Sequence, residues 1–153
     1  MSRDLHRLSP RVRAALGDRD VIVFDGVCVL CSRFFRFVLR HDRAQRFAFV
    51  TAQSDLGQAM YRDLGLPTDM FETNLVIVDA RIHERLDAFG AAMSALGWPW
   101  RALAVARLIP EPLRSGLYHR IARNRYRIFG RTESCMIPAP DVRARFLDLG
   151  RAA

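Results

Sequence analysis

A chain of 153 residues, half of them hydrophobic, is long enough for one domain with a sizeable core and too apolar for a disordered one. Its formal charge of +8 comes from arginine alone, lysine being absent, and no dense arginine tract accompanies it as a nucleic-acid-binding arm would. No stretch approaches the ~20 apolar residues of a membrane helix, and three cysteines are too few for a disulfide framework.

Taken in order, residues 1–19 read as a polar arm with a short helix at 10–16 and no assigned chemistry. They lack the apolar run of a secretory signal, so the expected setting is a reducing cytoplasm. Residues 21–24 are β-branched or aromatic and too few for a helix, which predicts a buried strand. Asp25-Gly26 permits a tight exit. Leu30, Phe34, Val38 and His41 then recur at helical spacing, with Arg33, Arg36, Arg40 and Arg43 on another face.

A second strand is predicted at 47–51. Ser54 is placed to cap a helix carrying Leu56, Ala59, Met60 and Leu64, and Gly65 with Pro67 stops it. A third strand at 75–78 turns through 79–80 into an antiparallel partner at 81–86. A helix over 87–96, with Ala88, Ala91, Ala92 and Ala95 as small contact positions, ends at Gly97. The order β-α-β-α-β-β-α is that of an α/β thioredoxin-like core, here residues 20–97 of a single domain spanning 20–149.

The remainder, 98–149, predicts a C-terminal helical extension. Trp98-Pro99-Trp100 opens a helix through 109, Pro110-Glu111-Pro112 breaks it, and another runs from 113 to 126. Eight arginines between 101 and 131 face Glu111 alone, interleaved with Leu117, Ile121, Ile128 and Phe129. That pattern predicts an amphipathic cover packed on the sheet with its arginines in water, in preference to a surface for nucleic acid, an acidic protein or a membrane. A short helix is expected over 141–149, and Cys135 is expected to be a buried structural thiol.

The chemistry concentrates at Cys28 and Cys31. A thiolate is the nucleophile in disulfide exchange, and the unpaired N–H groups of a helix N-terminus stabilise it. Cys31 sits about one turn deeper, placed to attack a mixed disulfide formed by Cys28. Cys28 is therefore the candidate attacking thiol and Cys31 the resolving one. Two alternatives use the same residues. In one, the pair binds a metal completed by Cys135, His41, His83 or His119, although no second pair shows ligand spacing. In the other, the cysteines merely pack within a non-catalytic basic interaction module. A phosphatase of the haloacid dehalogenase type fails at Val23, where its nucleophilic aspartate is required.

The run Asp25-Gly26-Val27-Cys28-Val29-Leu30-Cys31 resembles the D-x-x-C-x-x-C signature of the DCC family of thiol-disulfide oxidoreductases. Residues 64–67, the hairpin leading to Asp87-Ala88, and the stretch from Pro110 through Arg123-Asn124-Arg125-Tyr126 to Gly130 and Cys135 extend the resemblance over 20–147. It implies a thioredoxin-like fold and protein-disulfide reductase activity, without metal, flavin or nucleotide. It also implies disulfide-bearing protein or small-molecule substrates and an external dithiol donor. Asp25 becomes a supporting residue: a proton acceptor, a cap for the helix, a charge raising the thiol pKa, or a purely structural group. Thioredoxins carry a cis-proline before the third strand; here Thr73-Asn74 stand in its place.

Overall fold

In the computed structural model, which describes residues 2–132 and 139–148, β1 (Ser2–Asp4) and α1 (Pro10–Leu16) precede the core. The core runs β2 (Asp20–Phe24), α2 (Val29–His41), β3 (Phe47–Thr51), α3 (Asp55–Asp63), β4 (Leu75–Val78), β5 (Arg81–Glu84) and α4 (Arg85–Leu96). A 3-10 helix (Trp100–Leu108), α5 (Glu111–Phe129) and the one-turn α6 (Pro140–Arg143) complete it. The element order expected for a thioredoxin-like α/β core is therefore present.

The sheet order is β1-β5-β4-β2-β3, with β2 parallel to β3 and the other pairs antiparallel. Strand alternation divides the core. Val21 and Val23 of β2 join Leu8, Val12, Met60 and Tyr61 on one face, while Ile22 and Phe24 join Phe35, Val38, Ala92 and Met93 on the other. Both faces are covered by helices, which is why the strands read as continuous apolar runs.

Local chemistry sets the boundaries. Ser54 Oγ accepts the Gly57 N–H at 3.0 Å and caps α3 as expected. Gly57 itself lets α3 sit against the preceding turn: a Cβ there would overlap the Thr51 carbonyl oxygen and lie 2.9 Å from Ala52 Cα. The partner strand expected over 81–86 ends at Glu84. Arg85 N–H still donates to the Asn74 carbonyl at 3.2 Å, then the chain turns at φ +57° into α4.

The amino-terminal segment packs on the domain. Its β1 extends the sheet beside β5, and Leu8, Val12 and Leu16 lie in the core. The tail also departs from expectation. Instead of a helix over 141–149, α6 ends at Arg143 and the chain runs beside β3, with Phe49 N–H on Arg145 O (2.8 Å) and Leu147 N–H on Phe49 O (3.0 Å). Phe146 enters the ring cluster of Phe24, Phe35 and Phe49, and burying that ring outweighs continuing the helix. Cys135 and residue 149 lie outside the described residues.

The basic extension overturns the expected orientation. Its first part is 3-10 rather than α-helical, held by i to i+3 bonds such as Ala102 N–H to Pro99 O (3.1 Å). In α5, Ala122 and Arg125 are the buried residues, whereas Leu113, Leu117, Ile121 and Ile128 face outward. An arginine has taken the inside position because a buried carboxylate awaits it there.

Candidate active site

The loop between β2 and α2 carries Asp25 and Cys28, and the first turn of α2 carries Cys31. Cys28 is the N-cap of α2, and its sulfur accepts the Cys31 N–H at 3.4 Å. The neighbouring Cys31 side chain does most to favour the Cys28 thiolate. Burial opposes it; the Cys31 backbone bond and the charge of Arg125 add to it, and Asp25 opposes it. The net effect brings the Cys28 pKa from 9.0 down to about 6. Cys31 moves the other way, its thiol pushed far up by donating to Cys28, by burial and by the charge of Cys28. The two sulfurs are thus an unequal pair, Cys28 shifted toward the thiolate and Cys31 toward the thiol.

Asp25 is 1% exposed and fully engaged. Its Oδ1 accepts from Val27 N–H (3.1 Å) and Gln53 Nε2 (2.6 Å), and its Oδ2 accepts from Arg125 Nη2 (3.0 Å) and the Tyr126 hydroxyl. Gln53 Oε1 accepts the Gly26 N–H at 3.0 Å, so one side chain bridges the carboxylate and the turn. Asp25 does not cap α2, since the N–H it receives belongs to Val27, before the helix begins. The cap is the Cys28 sulfur.

Asn74 occupies the position before β4 and brings its Oδ1 to 3.9 Å from Cys31 Sγ. Its backbone N–H donates to the Tyr118 hydroxyl at 3.1 Å, and that hydroxyl donates to Glu72 O at 2.7 Å. Helix α5 thus supports the loop facing the thiols as well as the carboxylate behind them.

Both sulfurs are buried: Cys28 has no exposed surface and Cys31 4%. Cys28 is therefore not open to solvent in this conformation. Immediately after α5, Arg131 forms an antiparallel bridge with Cys28, and Thr132 N–H donates to Val27 O at 3.0 Å. The Arg131 guanidinium lies 5.0 Å from the centre of the Tyr126 ring. Residues 130–132 are therefore a strap across the C-x-x-C loop.

His41 closes α2 with Nδ1 2.8 Å from Phe37 O and meets the Trp100 ring edge-on, well removed from the thiols in sequence and surroundings. Among the described residues, no three histidine, cysteine or carboxylate side chains converge where a metal ion could be held. Sequence reasoning did not assign roles to Gln53, Asn74, Arg125, Tyr126 or Arg131. Arg125 and Tyr126 could have been suspected from their place in the family-like stretch, and Asn74 from its place before β4.

A buried, ion-paired aspartate behind a C-x-x-C at a helix start, on a thioredoxin-like α/β sheet, defines a dithiol protein class. A family profile described as DCC1-like thiol-disulfide oxidoreductase matches residues 22–131, and the chain belongs to that family. It is 36% identical over 127 residues to the uncharacterized protein YuxK of Bacillus subtilis (strain 168), covering 83% of this chain and 93% of that one. It is also 32% identical over 118 residues to the chloroplastic DCC family protein At1g52590 of Arabidopsis thaliana, covering 76% and 69% respectively. No solved structure matches. No helix among the described residues is long and apolar enough to cross a membrane.

Proposed function

We infer that the protein is a thiol-disulfide oxidoreductase of the protein-disulfide reductase type, with Cys28 as nucleophile, Cys31 as resolving thiol and Asp25 as a positioning residue. The carrying observation is the Cys28 sulfur at the start of α2, bonded by the Cys31 N–H and lowered to a pKa of about 6. At neutral pH such a sulfur is mostly thiolate.

The exchange needs only sulfur. Cys28 thiolate attacks one sulfur of a substrate disulfide, forming a mixed disulfide and releasing the other as a thiolate. That step removes the negative charge that holds the Cys31 proton, so the Cys31 thiol becomes more acidic when its turn comes. Its proton passes to the departed thiolate or to solvent. Cys31 then attacks Cys28, closing a Cys28–Cys31 disulfide and releasing the second substrate thiolate. Two electrons leave the protein, and an external dithiol must return them. No metal, flavin or nucleotide enters this scheme, and the cytoplasm is the compartment that would keep the pair reduced.

Attack requires the strap at 130–132 to lift from Cys28. The substrates are disulfides of proteins or small molecules that can reach the loop once it has done so. The test is reduction of a protein disulfide by the purified chain with an added dithiol. Cys31→Ser should accumulate a mixed disulfide and Cys28→Ser should not. Equal turnover by Cys28→Ser and the unaltered protein would overturn the assignment.

A further inference from the structure

We propose that the outer face of α5 docks the protein onto an anionic membrane surface. Leu113, Leu117, Ile121 and Ile128, spaced by four, four and seven residues, form one stripe along the helix. They are 68%, 53%, 40% and 63% exposed, while the opposite side of the same helix buries Ala122 and Arg125. Arg120, Arg123 and Arg127 are exposed along one flank of the stripe. Between Ala88 and Thr132 stand eight arginines and one acidic residue, Glu111, so this segment carries seven of the chain's eight units of net positive charge. Glu111 is itself occupied by Arg114 and Ser115.

Charge decides the occupant. A second copy meeting the same face would set arginine against arginine with no carboxylate between them. Aliphatic residues in a row with flanking arginines are what an interfacial helix presents to anionic lipid: side chains entering the acyl boundary, guanidinium groups on the phosphates. Trp98, 78% exposed just upstream, is of the type that favours that boundary. Taken with the dithiol reading above, docking would hold the thiol pair about one helix diameter (~10 Å) from the headgroups and favour disulfides borne by membrane-attached proteins.

The test is co-sedimentation of the full chain with phosphatidylglycerol-containing vesicles and with pure phosphatidylcholine vesicles. Binding is expected to the former only, and to fall as salt rises. Leu117→Ser/Ile121→Ser, which keeps every charge, should bind about tenfold more weakly or worse. Arg120→Gln/Arg127→Gln should weaken binding and flatten its salt dependence. Cys28→Ser should bind like the unaltered protein, which separates this proposal from the redox reading. Absence of binding to both vesicles, unchanged binding by the serine pair, capture by polyglutamate without capture by vesicles, or a dimer that the serine pair dissociates would each overturn it.

Discussion

Arg125 Nη2 lies 3.0 Å from Asp25 Oδ2 across a hundred residues of chain, and neither side chain is more than 3% exposed. The pair ties the last long helix to the end of β2, directly behind the thiols. Removing one member leaves a buried charge unpaired. Arg125→Met should destabilise the fold by about 3–5 kcal/mol, read from urea unfolding. It should also raise the Cys28 pKa, because Arg125 is one of the charges holding it down. Asp25→Asn should move that pKa in the opposite direction. A pH profile of iodoacetamide labelling measures both shifts, and movement in the same direction would contradict this account.

The two sulfurs make stability depend on pH in a definite way. Cys28 has its pKa depressed on folding from 9.0 to about 6, so its contribution is complete above pH 9 and lost as pH falls through 6. Cys31 has its pKa raised, so its contribution is present below about 9 and declines above that. For these two groups, stability of the reduced protein should climb from pH 6 and turn over near pH 9. Repeating the titration on the Cys28→Ser variant should remove the rising limb.

Gly57→Ala should destabilise the protein by about 1–3 kcal/mol, although alanine is the better helix former. The added methyl meets the Thr51 carbonyl oxygen and Ala52 backbone, neither of which is a flexible side chain. Thermal unfolding would show it, and an unchanged midpoint would mean that α3 sits further from the turn.

Asn74 faces Cys31 from the loop before β4. Asn74→Ala should slow the resolving step more than the attack, so mixed disulfide should persist longer in quenched samples read by mass spectrometry. Equal slowing of both steps would mean that Asn74 merely supports the loop.

Loosening the strap should expose the nucleophile. Arg131→Ala removes the guanidinium resting on Tyr126, a contact worth about 0.5–1 kcal/mol. Labelling of Cys28 should speed up about two- to fivefold, as that energy converts to a ratio. No change in rate would place the barrier to opening elsewhere.

The core elements were legible because both sheet faces are covered, which leaves β-branched runs and helical spacing undisturbed in the sequence. Strands 47–51 and 75–78 coincide with β3 and β4. The thiols and Asp25 were legible because they are local to one loop. Their supports were not, since Gln53, Asn74 and Arg125 reach the loop from three other parts of the chain. Residue 125 also defeats periodicity outright: an arginine on an inward face looks like a solvated one until its carboxylate is known. The amino-terminal strand was missed because three residues pairing through their backbone leave no apolar pattern to read.

That same short strand has a bearing on how the protein is handled. Paired with Arg81–His83, residues 2–4 occupy what would otherwise be the open border of the sheet. Shortening the chain there, or tethering a bulky fusion immediately ahead of it, would bare the main-chain groups of β5. Exposed borders of this kind recruit strands from neighbouring molecules. A preparation that precipitates when tagged at its beginning yet stays clear when tagged at its end would have its cause in those three residues.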